Sequence, residues 1–503
     1  MQEIISTLTS RERLHRRGIC VIVPTFNNET TIRDVVERCK EQSDDVIVVN
    51  DGCTDSTASI LAAIEGITIV TLSSNSGKGT ALKMGFRKAL EMGFSYAITL
   101  DADGQHFPED IPLMLKANIE NPGALIVGER KDLKTQERSG GSKFANAFSN
   151  FWFFVQTWKR LEDTQTGFRL YPLRKLHGLS LLTSRYEAEL ELLVFAAWHG
   201  VKLVSQPVNV YYPPREQRVS HFRPGLDFTR IFILNTILCF LACVYGLPLY
   251  IWRALMIIFR TTYSLLFFVV CSIGLMTPLV TLYIKIGKMT LEKRDSLHGI
   301  LQWISKFIMV WHGIPGVKYR PRNNSDESLD GPSVLICNHQ SHLDLMTLLP
   351  LKKKIVVLTN DWVWRNPFYG YVIRQAEFYP VSAGVETLIP KLRKLVDRGY
   401  SVAVYPEGTR SEDCSIGRFH QGAFYIAEQL NLDIVPLILY GAGKVLPKKD
   451  KHLHKGIISL DVDRHFSPEE VISLGTLKQR ASWFRKYYKS RYDEVSDEYE
   501  QYA

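Results

Sequence analysis

The sequence offers little cysteine for cross-linking and no cysteine pattern for metal binding. Eight cysteines are spread over 503 residues, and none of them forms a CxxC pair. Three of the eight lie in strongly apolar stretches, namely Cys239, Cys243 and Cys271. Neither a disulfide framework nor a cysteine-based zinc site is therefore predicted, which fits a reducing compartment.

Two common nucleotide-binding patterns are also missing. No GxGxxG follows the first apolar strand, which argues against a nicotinamide dehydrogenase. The segment SGKGT at 76–80 resembles a phosphate-binding P-loop. However, Gly79 separates the lysine from the threonine, and a leucine stands where that motif needs its first glycine, six positions before the lysine. A P-loop nucleotidase is therefore excluded as well.

Charged residues are absent from two long stretches in the middle of the chain, residues 231–252 and 261–284. Each stretch exceeds the roughly 20 apolar residues that span a hydrocarbon core, and backbone polar groups in lipid require helices. The two stretches therefore predict a two-helix membrane hairpin within 229–288. Two buried core helices are the alternative, because Pro248, Pro278 and several Ser and Thr residues dilute the stretches.

Positive charge flanks this predicted hairpin. The formal net charge is +9, which fits an anionic membrane surface better than nucleic acid. The flanking basic residues are Arg215, Arg218, Arg223 and Arg230 before the hairpin and Lys285, Lys288, Lys293 and Arg294 after it. The positive-inside rule then puts both ends in the cytoplasm. We therefore expect a multi-pass protein of a bacterial-type inner (cytoplasmic) membrane, with both flanking domains cytoplasmic and no nucleic-acid partner.

The N-terminal region, residues 18–228, alternates apolar strands with helical patterns. This alternation is typical of an α/β fold with a mostly parallel sheet, in which ligands collect at the carboxyl ends of the strands. Asp51, Asp101 and Asp103 each come just after a predicted strand. The Asp-x-Asp pair can converge on one Mg²⁺ or Mn²⁺ ion, since these ions prefer oxygen ligands. A solvated acidic loop is the alternative, but the position after a buried strand favours the metal site.

Five segments of this region resemble the family 2 glycosyltransferases of GT-A fold, namely VIVPTFNNE, VVNDGCTDST, NSGKGTAL, LDADGQH and DTQTGFRLYP. The resemblance is to the polyprenyl-phosphate (dolichyl-phosphate mannose synthase-like) branch and covers about residues 18 to 225. It implies inverting transfer from a nucleotide-diphosphate sugar. The implied nucleotide-sugar contacts are Pro24, Asn27, Glu29, Asp51 and Asp101, the implied metal contacts are Asp101, Asp103 and Gln105, and the implied acceptor contacts are Arg130, Arg138 and Arg169.

The resemblance leaves the acceptor open. A phosphate acceptor is already an anion and needs no general base, whereas a hydroxyl acceptor needs one, and Asp163 is then the catalytic candidate. A loop-capping carboxylate is the other interpretation of Asp163. The basic and aromatic segment 218–231 is expected either to hold a lipid head group or only to anchor the chain at the membrane. Glu187 and Glu189 are interpreted as first-turn acids of the helix that follows them.

The C-terminal region, residues 290–490, predicts a second α/β domain, because apolar strand patterns again alternate with helices. His339 and Asp344 stand five residues apart. A histidine that is hydrogen-bonded to a carboxylate can take a proton from a hydroxyl, and His342 is a competing candidate in the same turn. The sequence PEGTR follows at 406–410.

This combination resembles the glycerolipid (lysophosphatidic acid acyltransferase-like) acyltransferases over about residues 295 to 450. The matching positions are Asn338, His339 and Asp344 in the first block, Glu407, Gly408, Thr409 and Arg410 in the third, and Ile434, Val435 and Pro436 in the fourth. The resemblance implies acyl transfer from acyl-CoA or acyl-ACP to a lipid-like hydroxyl, with His339 and Asp344 catalytic and Glu407 to Arg410 at the acceptor site. A structural salt bridge is the alternative for Arg410.

One departure from the acyltransferase pattern concerns the acceptor. The second block of relatives that use phosphate acceptors usually carries an arginine, and here no arginine follows Phe378. Glycerol 3-phosphate and lysophosphatidate are therefore in doubt as acceptors. A glycolipid, an aminoacyl lipid or another hydroxylated lipid is favoured instead.

Together these patterns predict an α/β protein of three parts. They are an N-terminal GT-A nucleotide-sugar domain (18–228), a central two-helix membrane hairpin (229–288) and a C-terminal α/β acyltransferase domain (290–490). The charged, tyrosine-rich tail after 476 predicts a helix that is either resting on lipid or solvated. The predicted function is that of a bifunctional membrane enzyme of lipid or glycolipid biosynthesis with Mg²⁺ or Mn²⁺ as cofactor. A membrane scaffold with only one active domain is the alternative.

Overall fold

The computed structural model describes residues 9–130, 140–179, 181–211, 224–311, 314–325 and 328–500. Within these ranges the chain divides into two compact units, one of residues up to 253 together with 497–500, and one of residues 254–496. Each unit contains a mixed sheet with helices around it. The α/β prediction is therefore confirmed for both regions, while the three domain boundaries stay predictions.

The strands of the first unit are the buried aliphatic runs of the sequence. They are β1 (Ile19–Thr25), β2 (Val46–Asn50), β3 (Thr68–Thr71), β4 (Tyr96–Thr99), β5 (Leu125–Arg130), β6 (Arg169–Pro172) and β7 (Leu203–Val208). Their order is β3-β2-β1-β4-β6-β5-β7, and β6 runs antiparallel to its neighbours β4 and β5. Every residue of β1, β2 and β4 is buried, as is typical of parallel strands covered on both faces.

Helices cover both faces of this sheet. They are α1 (Ser10–Arg16), α2 (Ile32–Gln42), α3 (Thr57–Ala62), α4 (Lys78–Glu91), α5 (Ile111–Glu120), α6 (Gly140–Thr157), α7 (Leu173–Leu176) and α8 (Glu187–Trp198). Cys20 and Ile22 of β1 belong to one buried cluster, whereas Val21 and Val23 belong to the other. Alternate side chains of β1 therefore point to opposite faces of the sheet and belong to two separate core layers.

The central apolar region is one continuous helical run. It consists of α9 (Pro224–Leu241), α10 (Leu247–Phe267) and α11 (Thr277–Lys285), which are joined by the π-helical segments Ala242–Gly246 and Phe268–Met276. In the described part of the chain it forms a single helix, Thr229–Lys285, of 57 residues that is long and apolar enough to cross a membrane. The predicted two-helix hairpin is therefore wrong.

The local sequence explains why no turn forms. Residues 253–260, RALMIIFR, contain good helix formers and no glycine, proline or asparagine. Pro248 and Pro278 each follow two residues after a π-helical segment, whose wider turn accommodates a residue without an N–H group. Phe240 is 67% exposed and Leu265 is 62% exposed, which also excludes the alternative of buried core helices.

The strands of the second unit place one central strand, β9, behind the predicted catalytic turn. They are β8 (Val317–Asn323), β9 (Val334–Cys337), β10 (Ile355–Thr359), β11 (Tyr379–Pro380), β12 (Ser401–Val404), β13 (Ile434–Tyr440) and β14 (Gly456–Val462). Their order is β11-β10-β12-β9-β13-β14-β8, with β13 and β14 antiparallel. Both neighbours of β9 run parallel to it, so the residues after Cys337 emerge at the carboxyl edge of the sheet.

The helices of the second unit include one that the sequence did not predict as part of the core. They are α12 (Leu291–Lys306), α13 (Asp344–Leu348), α14 (Asp361–Trp364), α15 (Gly370–Gln375), α16 (Val385–Val396), α17 (Gly422–Leu430), α18 (Ala442–Val445), α19 (Pro468–Ser473) and α20 (Leu477–Glu500). In α20 the side chains of Phe484, Tyr487 and Tyr488 are buried. Both predictions for the tail, a helix on lipid and a solvated helix, are therefore wrong, because these aromatic residues form a stripe at i, i+3 and i+4 that packs inward.

Candidate active sites

In the first unit, two loops that leave neighbouring strands brace each other. Asn27 follows β1 and adopts a left-handed conformation with φ 53°. Its Oδ1 accepts the Thr54 N–H at 2.9 Å, and Glu29 Oε2 accepts the Ser56 N–H at 3.1 Å. Pro24 lies inside β1 and is buried. These three predicted nucleotide-sugar contacts therefore shape the loops at the carboxyl end of β1 and β2.

Asp51, directly after β2, fixes the loop that leads into α4. Its Oδ1 accepts the Ser76 N–H at 2.8 Å and its Oδ2 accepts the Gly77 N–H at 2.9 Å. Burial raises the pKa of this carboxyl group, although the two N–H donors work in the opposite direction. Asp51 thus holds the SGKGT segment in place from the sheet edge.

The two carboxylates of the predicted metal site lie together after β4, but a lysine accompanies them. Lys78 Nζ, at the start of α4, lies 2.6 Å from Asp101 Oδ1 and 2.9 Å from Glu189 Oε2 of α8. Asp103 Oδ1 accepts the backbone N–H of Gln105 at 3.0 Å. Burial and the neighbouring Asp101 raise the pKa of Asp103 to about 6.

The donor chemistry of this site fits a hard divalent ion. Mg²⁺ is commonly held by one or two carboxylates, with the other positions filled by water and substrate phosphate oxygens. Burial first, and then the neighbouring Asp101 carboxylate, raise the pKa of Asp103, and a bound cation would stabilise its charged form. Among the described residues, however, no group of three or more carboxylate, histidine or cysteine side chains is arranged to hold a metal ion.

Close packing explains a glycine in the DTQTGFR segment. A Cβ atom added to Gly167 would lie 2.3 Å from Asp101 Oδ2, which is closer than van der Waals contact allows. Asp101 is therefore held between Gly167 on one side and Lys78 on the other.

The predicted catalytic Asp163 and the predicted acceptor contact Arg130 form a buried ion pair. Arg130 Nη2 donates to Asp163 Oδ1 at 2.8 Å, and Nε donates to Oδ2. The Asp163 residue is fully buried. Asp163 thus anchors Arg130 at the end of β5 in this arrangement, as its interpretation as a structural carboxylate implies.

Arg169, another predicted acceptor contact, is fully buried. Its Nη1 donates to the carbonyl oxygen of Glu189 at 2.8 Å and its Nη2 to that of Thr164 at 2.9 Å. Contact with an acceptor would require this side chain, at the start of β6, to leave its buried hydrogen bonds, so the role stays a prediction. The predicted contact Arg138 lies outside the described residues, as does much of the basic segment 218–231.

In the second unit, the predicted histidine and aspartate form a pair. His339 Nδ1 lies 2.7 Å from Asp344 Oδ2. The carboxylate of Asp344, at the first position of α13, also accepts the N–H groups of Gln340 at 2.7 Å and Ser341 at 3.0 Å. His342, the competing candidate, is exposed, and its ring lies 6.2 Å from the Trp362 ring. The geometry therefore favours His339 Nε2 as the proton acceptor.

The PEGTR turn fixes the backbone of His339. Glu407 Oε1 accepts the His339 N–H at 2.9 Å, and Glu407 Oε2 accepts the Gly417 N–H at 2.7 Å. Burial raises the pKa of Glu407, while the two N–H donors lower it. Gly408 has φ 65°, a conformation that favours glycine. The ring of Tyr405 stacks on the His339 ring at a centroid distance of 4.5 Å.

Thr409 and Arg410 end this turn toward solvent. Thr409 is exposed and Arg410 is partly exposed. Within the part of the chain that the structure describes, no carboxylate lies within ion-pair distance of Arg410. The structural salt bridge that was the alternative for this residue is therefore not formed there.

Asn338 of the first block and side chains of α20, which lies outside the predicted motifs, complete the second site. The carboxamide of Asn338 continues the β9–β13 ladder, since it accepts the Leu439 N–H at 2.7 Å and donates to the Leu439 carbonyl at 2.8 Å. Tyr488 of α20 accepts the Leu437 N–H at 3.1 Å and donates to the Ile336 carbonyl oxygen. Tyr492 accepts from Gln340 Nε2 at 2.9 Å. The aromatic stripe of α20 is the one sequence signal that could have revealed these contacts.

Comparisons with known proteins divide the chain in the same way. A family model described as Glycosyl transferase family 2 matches residues 20–169, and one described as Acyltransferase matches residues 316–440. An uncharacterized protein of Methanocaldococcus jannaschii is 30% identical over 205 residues, which cover 40% of this chain and 84% of that protein.

Two relatives with named activities match one region each. A UDP-N-acetylglucosamine–dolichyl-phosphate N-acetylglucosaminyltransferase of Methanococcus voltae is 29% identical over 217 residues, or 39% of this chain and 86% of that enzyme. A chloroplastic 1-acyl-sn-glycerol-3-phosphate acyltransferase of Arabidopsis thaliana is 35% identical over 125 residues, or 24% of this chain. The match spans only 35% of the length of the plant enzyme.

Proposed function

Because the chain belongs to the family 2 glycosyl transferases through its N-terminal part and to the acyltransferases through its C-terminal part, we propose that it is a bifunctional membrane enzyme of lipid or glycolipid biosynthesis. One observation carries this proposal. Each unit holds its own set of charged or proton-accepting side chains at the carboxyl edge of its own sheet, Asp51 and Asp101 in the first and His339 with Asp344 in the second.

The first unit transfers a sugar from a nucleotide-diphosphate sugar. Asp51 and the braced loop of Pro24, Asn27 and Glu29 are proposed to bind the nucleotide, because they line the ends of β1 and β2. Asp101 and Asp103, with Gln105, would hold Mg²⁺ or Mn²⁺, which when bound supplies charge stabilisation at the leaving nucleotide.

A polyprenyl phosphate is the proposed acceptor of the sugar. Its phosphate oxygen attacks the anomeric carbon as the bond to the diphosphate breaks, with inversion, and no general base is needed. Arg130, held in place by Asp163, would face that phosphate through charge-assisted hydrogen bonds. The engagement of both Asp163 oxygens by Arg130 supports this acceptor over a hydroxyl, for which Asp163 would have to be the base.

The second unit transfers an acyl chain from acyl-ACP or acyl-CoA to a lipid-like hydroxyl. His339 Nε2 takes the hydroxyl proton while the oxygen attacks the thioester carbonyl. The C–S bond then breaks, and the thiolate leaves with the proton from the imidazolium. Asp344 stabilises that imidazolium, and Arg410 is proposed to bind a polar group of the acceptor.

The exposed apolar helix Thr229–Lys285 supports attachment to a membrane. We place both units on the cytoplasmic side of a bacterial-type inner membrane, because basic residues flank the helix at both ends. The helix is about 85 Å long at about 1.5 Å per residue. Because it is continuous, it can cross the membrane at most once, and a single crossing would put its two ends on opposite sides. The proposed placement therefore requires that the helix lies along the membrane surface without crossing. Labelling, from outside the cell, of a cysteine introduced into each unit distinguishes these cases.

Lipid mass spectrometry of cells tests the proposed function. Cells that produce the protein are expected to contain a glycosylated and an acylated lipid that cells without it lack. Asp103→Ala should remove the glycosylated species, and His339→Ala should remove the added acyl chain. If neither substitution changes the lipid profile, the chain acts as a membrane scaffold and the proposal fails.

A further inference from the structure

One ammonium group is shared by two carboxylates in the first unit. Lys78 Nζ lies 2.6 Å from Asp101 Oδ1 and 2.9 Å from Glu189 Oε2. The side chains of Lys78 and Glu189 are 16% and 8% exposed, so water screens these charges only weakly. The backbone before Lys78 is also fixed, since the Gly77 N–H donates to Asp51 Oδ2 at 2.9 Å. A cation that belongs to the chain thus occupies one side of the predicted metal ligand Asp101.

The second carboxylate oxygen of Glu189 has no hydrogen-bond donor among the described residues. This oxygen, Oε1, is buried. Buried carboxylate oxygens are normally hydrogen-bonded, so this one calls for a donor that arrives in another state of the site. The Lys78 ammonium is already bound to the other oxygen of the same carboxylate, so it is a charged donor that can supply this bond.

We propose that the Lys78 ammonium occupies the metal position of the donor site in the absence of metal. When the metal ion binds, this ammonium leaves Asp101 and pairs with both carboxylate oxygens of Glu189. This inference rests on the proposed metal-dependent sugar transfer. Two cations next to one carboxylate repel each other, so one of the partners of Asp101 has to move. Lys78 and Glu189 are therefore positioning residues for the donor site.

The packing around Asp101 decides which side chain moves. A Cβ atom at Gly167 would lie 2.3 Å from Asp101 Oδ2, so the backbone of Gly167 already lies against Asp101 and leaves it no room to retreat. Lysine has a long, flexible stem with rotatable donors. Lys78 can therefore swing from Asp101 to the second oxygen of Glu189 without a change in the backbone.

Two substitutions should change metal affinity in opposite directions. Lys78→Met removes the competing cation, so Mn²⁺ should bind more tightly. Glu189→Gln removes the alternative partner, so Lys78 stays on Asp101 and Mn²⁺ should bind more weakly. A purely structural ion pair would weaken Mn²⁺ binding in both variants.

The test measures Mn²⁺ binding to the purified full-length protein in detergent, without nucleotide. The electron paramagnetic resonance signal of free Mn²⁺ reports how much of the ion is bound. Lys78→Met is expected to bind roughly tenfold more tightly than the unsubstituted protein, and Glu189→Gln several-fold more weakly. Lys88→Met is the matched control, because Lys88 lies on the same helix with a side chain that is 39% exposed. If Lys78→Met does not fold, Lys78→Met with Glu189→Gln leaves no unpaired charge at either position and should still bind Mn²⁺ more tightly.

The outcomes separate this inference from the proposed function. Suppose that neither Lys78→Met nor its double variant with Glu189→Gln binds Mn²⁺ more tightly than the unsubstituted protein, while Asp103→Asn abolishes binding. The inference is then wrong, and the proposed donor site stands. If no variant binds Mn²⁺ with or without added UDP, the metal-dependent donor site is wrong as well.

Discussion

At the scale of single residues, the proposed proton transfer in the second unit depends on the 2.7 Å contact between His339 Nδ1 and Asp344 Oδ2. The N–H groups of Gln340 and Ser341 hold the same carboxylate, so its position is fixed before any substrate arrives. A carboxylate on Nδ1 keeps the proton on that nitrogen and leaves Nε2 as the base.

Asp344→Asn should therefore lower acyl transfer by about 100-fold or more, because asparagine can donate to Nδ1 and favour the wrong tautomer. Acylation rates with purified protein measure this effect. Asp450→Asn is a matched control, since Asp450 pairs with His452 at 2.8 Å and His454 at 2.7 Å on a separate surface loop. Equal losses in both variants would contradict the assigned role of Asp344.

Gly167→Ala should disable sugar transfer without affecting acyl transfer. The added methyl group would displace Asp101, so we expect sugar transfer to fall at least about tenfold. A tenfold loss corresponds to about 1.4 kcal/mol of lost transition-state stabilisation. Gly331→Ala is the control, because nothing lies within 4 Å of its added Cβ. Full sugar transfer in Gly167→Ala would show that Asp101 does not need this position.

The sequence predicted the residues that follow strand ends but not all of their partners. Asp101, Asp103, His339 and Asp344 were recognised because spacing and position after a buried strand carry chemical meaning. The sequence presents Lys78 only as part of an incomplete P-loop pattern, and Glu189 only as a first-turn acid of a helix. Their ion pair depends on the packing of α4 against α8, which no local pattern encodes.

At the scale of elements, α20 is a structural part of the second site. The fourth block places Pro436 opposite Ile336 in the β9–β13 ladder, and proline has no N–H to donate. Beside this position the hydroxyl group of Tyr488 bridges the two strands, since it donates to the Ile336 carbonyl oxygen and accepts the Leu437 N–H. The helix thus joins two strands of the sheet directly behind the proposed catalytic turn.

Tyr488→Phe should destabilise the protein by about 1–3 kcal/mol, because it leaves two buried backbone groups without a partner. Thermal unfolding in detergent measures the change. Tyr425→Phe is the control, since the Tyr425 hydroxyl makes no hydrogen bond within the described residues. An unchanged unfolding midpoint in Tyr488→Phe would show that these hydrogen bonds from α20 do not stabilise the site.

The two elements that the sequence predicted wrongly fail for the same physical reason. In the apolar region, the charged residues Arg253 and Arg260 separate two uncharged stretches and suggested two helices, but α10 continues through both of them. Charge was taken as a sign of exposure in the tail, but lysines and arginines alternate there with a buried aromatic stripe. In both cases the position of charged residues alone misled the prediction.

At the scale of the whole molecule, the chain joins two units that each carry a separate proposed catalytic set. The two sets share no residue, and each is built on its own sheet. The proposed link between them is chemical, because both reactions modify lipid-like acceptors and the helix Thr229–Lys285 is suited to hold both units at one membrane. Independence of the two chemistries is the central claim.

The most direct test measures both reactions on the same purified protein in lipid vesicles, with a radiolabelled nucleotide sugar in one assay and a radiolabelled acyl thioester in the other. Asp103→Ala should lose sugar transfer and keep acyl transfer, whereas His339→Ala should show the reverse. Loss of both activities in either variant, or of neither, would contradict two independent active sites in this chain.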